Sequence, residues 1–218
     1  MLRITPQIVI CVLASGCSVL APVPDRSRFF TLSAMPEAQV QRTNEQREGS
    51  GATRGIVYGL GPIKLPAYLD RREVALRVSP AELTYSQTDR WAEPLTANVT
   101  AVLLQNLIQL LDTTRVVAYP WIGQVVVDYQ VEILFLRFES DAAGNGLLTA
   151  RWAITDTRGG RLVAIKETTL SRSGSPGNTT AATTALSGNL GELSREIAAA
   201  LQALPAPQPA PARSHKRS

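Results

Sequence analysis

From Gln124 to Phe138 apolar and polar side chains alternate for longer than anywhere else in the chain. Val125, Val127, Tyr129, Val131, Ile133 and Phe135 are apolar, while Asp128, Gln130 and Glu132 are polar. Period two of this length predicts a strand with one face turned inward. The pattern blurs after Ile133, where Leu134, Leu136 and Phe138 place apolar groups on the opposite parity. That predicts either a bulge or a second covering layer. The turn sequences Asp141 to Gly146 and Asp156 to Gly160 enclose a second alternating run, Leu148, Ala150, Trp152 and Ile154. Three successive strands joined in this way form an antiparallel meander. Shorter strands are predicted at Phe29 to Leu32, Ile56 to Leu65, Glu73 to Val78 and Arg115 to Tyr119. Gly59 and Gly61 interrupt the second of these, which marks a bulge there.

Two stretches change period. Pro94 opens a segment in which Val99, Leu103, Leu107, Leu110 and Leu111 recur at three and four, predicting a helix from about residue 94 to 111. After a polar, glycine-bearing connection, Leu186, Leu190, Leu193, Ile197, Leu201 and Leu204 fall on one face of a second helix rich in alanine. Strands, helix, strands, helix predicts an α+β fold, a mostly antiparallel sheet with two long helices packed on one face. No repeat of 20 to 50 residues is present.

The ends read differently. Arg3, the apolar run Ile8 to Ala14 and the small residues Ser15 and Gly16 before Cys17 form a signal segment, too short to span a bilayer. Cleavage between Gly16 and Cys17 with acylation of Cys17 explains why one thiol stands there, since a secreted domain would otherwise carry a lone reactive cysteine. The expected organisation is residues 1–16 as leader, 17–27 as a lipidated, proline-bearing tether, 28–204 as the folded domain with a polar loop near 37–55, and 205–218 as a proline-rich basic tail. Cys11 leaves with the leader, so the mature domain has no disulfide and must be held by its core. Removing Arg3 takes the formal net charge from +4 to +3, too small an excess to point to nucleic acid.

Catalytic chemistry has little to work with. The single histidine, His215, lies in the tail, so no Ser-His-Asp or Cys-His arrangement can form in the domain. No zinc or calcium ligand pattern occurs, and no cofactor is expected beyond a covalent lipid on Cys17. Gly59-Leu-Gly61 precedes a proline rather than a helix and does not form a phosphate cradle. Glu132, Glu139 and Asp141 are read as solvated strand and turn charges.

Aromatic and basic residues gather elsewhere. Pro66, Tyr68, Leu69 and Arg71 follow the second strand, Trp91 precedes the first helix, and Trp121 follows Tyr119-Pro120. These residues either pack over the sheet edge, with Arg71 paired to a carboxylate, or form a partner surface of the kind rich in Trp, Tyr and Arg.

Several of these segments carry a family likeness. Arg28 to Leu32, Gly61 to Arg71, Arg90 to Leu95, Pro120-Trp121, Asp128 to Val131 and Arg137 to Glu139 together resemble the PqiC family of ABC-transport auxiliary lipoproteins, over about residues 28–204. Departures are Ala14 where the lipobox usually has Leu, the Phe29-Phe30 pair, the long polar loop and the added tail. The resemblance implies a non-catalytic outer-membrane lipoprotein that works with an MCE-domain protein and inner-membrane components in trans-envelope lipid transport. Ser18 after the lipidated cysteine agrees with outer-membrane sorting. A homo-oligomer is compatible with this reading. The alternative is a periplasmic carrier that holds acyl chains in its own cavity. For the anchor, intact mass and membrane fractionation should find wild-type protein acylated in the outer membrane and Cys17→Ala unprocessed or mislocalised; a soluble, unmodified wild type would contradict it.

Overall fold

One strand pairs with three neighbours and organises the molecule. In the computed structural model, which describes residues 25–37 and 55–205, the chain runs β1 (Arg28–Phe30), β2 (Tyr58–Lys64), a 3₁₀ turn (Ala67–Leu69), β3 (Glu73–Ser79), β4 (Glu82–Trp91), α1 (Leu95–Leu110), β5 (Val116–Ala118), β6 (Tyr129–Asp141), β7 (Gly146–Asp156), β8 (Arg161–Arg172) and α2 (Thr179–Gln202). Strand β6 pairs antiparallel with β7 along its whole length. On its other edge it pairs first with β2, through Tyr58↔Tyr129 to Lys64↔Leu134, and then with β3, through Leu76↔Ser140 and Arg77↔Asp141. The sheet therefore forks: β5 extends the β2 branch, and β4 with β1 extends the β3 branch. It is mixed but mostly antiparallel, because the long β6–β7–β8 meander outweighs the short parallel contacts.

The fork requires a change of parity inside β6. Its register with β7 shifts between Phe135 and Arg137. Before the shift Tyr129, Val131, Ile133 and Phe135 are buried; after it Phe138 is buried instead of Arg137. The blurred pattern in the sequence is thus a bulge, and Leu134 and Leu136 remain exposed.

Helix α1 lies against β2 and β5, α2 against β6, β7 and β8, and the helices touch each other. Leu95, Val99, Leu103, Leu107 and Leu110 of α1, and Leu186, Leu190, Leu193, Ile197 and Leu201 of α2, are buried with Tyr58, Ile133, Phe135 and Trp152 in a single cluster. Burying such a side chain contributes about 1.5 to 3 kcal/mol each.

A further layer was not expected. After β1, Thr31 to Met35 crosses both helices, burying Leu32 and Met35. Its backbone donors are met by helix side chains: Leu32 N donates to Asn98 Oδ1 at 2.7 Å, Ser33 N to Ser187 Oγ at 3.2 Å, and Met35 N to Asn106 Oδ1 at 2.9 Å. Asn106 in turn donates to Ser194 Oγ at 3.1 Å. Such pairing is needed wherever backbone leaves solvent without strand partners.

Two expectations need correction. Strand β6 starts at Tyr129, five residues later than the alternation implied; Val125 and Val126 are exposed and precede it. Strand β4 was missed because its first residues are solvated and its last contact with the core is through Asp89 and Trp91. Cys17 with Gly16 and Ser18, most of the loop near 37–55 and the tail beyond 205 lie outside the described residues. Asn106→Leu should lower stability by about 1 to 3 kcal/mol by stranding the Met35 N–H, read as a lower urea midpoint with an unchanged slope.

Candidate interaction surface

Beyond the bulge the face of β6 that carries Glu139 is covered by the connection between β2 and β3. Glu139 is fully buried there and accepts four hydrogen bonds. Arg77 Nε approaches Oε1 at 2.6 Å and Arg137 Nε at 3.2 Å, Tyr68 Oη donates to Oε2 at 2.8 Å, and the Phe138 N–H donates to Oε2 at 2.9 Å. The expectation that Glu139 is a solvated strand charge is therefore corrected: Glu132 is exposed, Asp141 caps its own turn through Asn145, and Glu139 is an internal anchor. Burial alone pushes the Glu139 carboxyl up, but Arg77, Tyr68 and Arg137 outweigh it and hold the group below its ordinary range. The same contact and the loss of solvent push the Tyr68 hydroxyl up to about 12, burial being the larger cause.

This anchor fixes most of the segment singled out in the sequence. The Leu69 N–H closes the 3₁₀ turn on the Pro66 carbonyl at 2.9 Å, Leu69 is buried, and Tyr85 Oη donates to the Tyr68 carbonyl at 3.2 Å. Arg71 is exposed, sits 4.1 Å over the Tyr85 ring and pairs loosely with Glu73 at 3.6 Å. Pro66, Tyr68, Leu69 and Arg71 are thus brought together. Trp91 is not part of that surface: it is 4% exposed and belongs to the core. Trp121 lies toward the other end of the sheet, edge-on to Tyr119 at 5.5 Å. It lies across Gly59, where any Cβ would clash with the indole. Gly61, at φ +115, lets β2 bend where its register with β6 slips.

Two other buried carboxylates are used in the same way. Asp89 receives both Arg28 Nε and Nη2 at 2.8 Å and a Thr179 hydroxyl, joining β1, β4 and the first turn of α2. Burial raises its proton affinity, but Thr179 and Arg28 more than offset this and hold it low. Asp128 accepts from Arg158 Nε at 2.6 Å and from the Val57 N–H at 2.8 Å. All three acids are occupied by donors, and among the described residues no group of three or more His, Cys, Asp or Glu could hold a metal. Each of these three carboxylates ties together segments distant in sequence and so fixes shape.

Exposed apolar residues mark where a partner could sit. Leu134 and Leu136 of β6 and Leu162 and Ile165 of β8 are open to solvent. A groove of about 440 Å³ runs between Pro62, Lys64, Leu134, Arg151 and Ile165.

Residues 30–198 match the family described as ABC-type transport auxiliary lipoprotein component. The chain belongs to this family. Among solved structures this auxiliary lipoprotein is similar to an uncharacterized protein at 17% identity and TM-score 0.63, covering 80% of this chain and 98% of the other. It is also similar to the protein XCC0632 from Xanthomonas campestris at 19% identity and TM-score 0.59, covering 78% and 92%. These likenesses establish the fold. No curated protein matches the chain.

Sequence reasoning missed Asn98, Asn106 and Asp89, and misplaced Glu139. The signal for Glu139 was nonetheless present, because Arg137-Phe-Glu139 follows the strand where parity breaks. Since the Glu139 carboxyl is held low in the folded state, its stabilising effect is full above the unfolded carboxylate pKa and is lost as pH falls through the folded value. Glu139→Gln should therefore be less stable than wild type at neutral pH, and the two melting curves should converge as the pH is lowered below about 4. Equal sensitivity to acid in both proteins would contradict the role assigned to this group.

Proposed function

We propose that this auxiliary lipoprotein is a non-catalytic adaptor of a trans-envelope MCE-type lipid transport system. It is anchored through Cys17 at the periplasmic face of the outer membrane and helps to maintain membrane integrity. The observation that carries the adaptor reading over a carrier is the filled interior. Tyr58, Phe135, Ile133, Leu103, Leu107, Leu190 and Leu193 are almost wholly buried between helices and sheet, in the space where a carrier would hold acyl chains. Family membership supplies the transport context, and the internally satisfied carboxylates fit a scaffold.

On this reading both helices cover one face of the sheet, and the MCE-domain partner is met on the other, where Leu134, Leu136 and Ile165 are exposed. The rigid Pro66 to Arg71 segment borders that surface. The partner gains apolar area there without the adaptor having to rearrange.

A soluble form titrated with a fluorescent phospholipid should show no saturable uptake, whereas Leu134→Asp combined with Ile165→Asp should reduce co-purification with the MCE-domain subunit about tenfold or more with an unchanged melting temperature. Saturable, stoichiometric uptake would establish the carrier instead.

A further inference from the structure

Strand β8 ends the meander and leaves its outer side open. It runs for 12 residues, Arg161–Arg172, of which only Thr168 is buried, a length of about 40 Å at roughly 3.3 Å per residue. Among the described residues it pairs with β7 alone. Every second residue of such a strand turns its N–H and C=O away from its single neighbour. The sheet's other free edges, β1 and β5, are 3 residues each.

A long edge is ordinarily guarded by a proline, by a bulge that twists it away, or by a charge that projects over it. Strand β8 contains no proline. Its two central charges are held on the faces of the sheet and not at its side: Lys166 Nζ meets Glu196 of α2 at 2.8 Å, and Glu167 meets Arg151 of β7 at 3.3 Å. The bulge it does have serves another end. Ile154 pairs with Ala164 and Thr155 with Leu162, so Val163 is the extra residue. Strict alternation would turn Leu162 toward the helices together with Ala164 and Lys166. The bulge sets it instead on the open face beside Ile165, where the two are 54% and 66% exposed.

Ile165 also lines the groove that holds Leu134, so the apolar strip of the open face reaches the free edge. An unpaired backbone edge recognises one chemistry, an extended polypeptide, and the side chains beside it choose which. Here Leu162 and Ile165 select a segment whose alternate residues are apolar. A second copy of this chain fits poorly. Two β8 strands laid antiparallel about their middle residues would set Lys166 against Lys166 or Glu167 against Glu167, like charges directly opposite, and β1 and β5 are too short to match β8.

We propose that an extended segment of the MCE-domain partner, apolar at alternate positions, adds to β8 as a further strand of the sheet, with its apolar side chains resting on Leu162 and Ile165. This rests on the partner surface argued above and states how that surface is engaged.

Hydrogen exchange, read residue by residue on the full-length protein alone and with the purified MCE-domain subunit, tests it. In the free protein alternate β8 amides should exchange fast, and in the complex the same amides should slow about tenfold or more. Leu162→Lys, at an exposed position and with an unchanged melting temperature, should weaken the complex about tenfold or more. A complex in which those amides exchange as in the free protein, or one indifferent to Leu162→Lys, would overturn strand addition and leave the partner reading standing. Failure of any complex to form would overturn both. Slow exchange of the same amides in the free protein, increasing with its concentration, would assign the edge to a second copy and overturn the proposal.

Discussion

The extra residue in β6 between Phe135 and Arg137 is the constraint on which the rest of this fold depends. A strand of thirteen residues with strict alternation would keep one face toward the helices along its whole length and place Glu139 among the leucines. The bulge instead returns Phe138 to the core and turns Glu139 to the other face. It also divides the free edge of β6, so that β2 occupies the first half and β3 the last residues. The β2–β3 connection must then cross the opposite face, and that crossing is what buries Glu139. Fork, bulge and buried acid are one solution to a single parity problem.

The cost of that solution is a carboxylate away from water, and the chain meets it with donors in excess. Arg77, Arg137, Tyr68 and the Phe138 amide satisfy both oxygens, Arg28 does the same for Asp89, and Arg158 together with the Val57 amide does so for Asp128. Removing one partner from such a pair costs more than the pair itself contributes, because the survivor remains buried and unpaired. Each acid joins segments distant in sequence. Asp89 links the start of the domain to α2, Asp128 links β2 to the turn after β7, and Glu139 links the Pro66 to Arg71 segment to β6. The polar chemistry of these three acids is directed inward.

This also explains what the sequence could and could not reveal. The two helices and the β6–β8 meander were legible because their apolar periods are long and each buries a continuous stripe. Their boundaries failed where burial stops following period: Val125 and Val127 continue the alternation by composition, but the chain there is a loop braced by Trp121. Strand β4 was hidden because its first residues are solvated, and a strand can be polar there and still pair with its neighbour. Asn98 and Asn106 were invisible for a different reason. A polar residue beside a helix's leucine stripe usually faces solvent, and only the crossing of Thr31 to Met35 makes a buried amide useful there. The partner-surface residues were legible as a group near Pro66 and not beyond it, since Trp91 and Trp121 resemble each other in sequence but one fills the core and the other supports a loop.

On the proposed reading, in which the protein is held through Cys17, the path of Arg28 to Met35 has a mechanical consequence. A three-residue parallel edge strand alone would peel easily, since its ladder is short and solvated. Here pulling on residue 28 first meets the Arg28–Asp89 pair, then the Asn98, Ser187 and Asn106 contacts in turn. Asp89 is itself tied to Thr179 at the start of α2. Load entering at residue 28 is therefore divided between the sheet and both helices. A scaffold that must keep a fixed surface toward a partner while being held at one end requires that division, whereas a carrier that opens its helices away from the sheet would be hindered by the same strap.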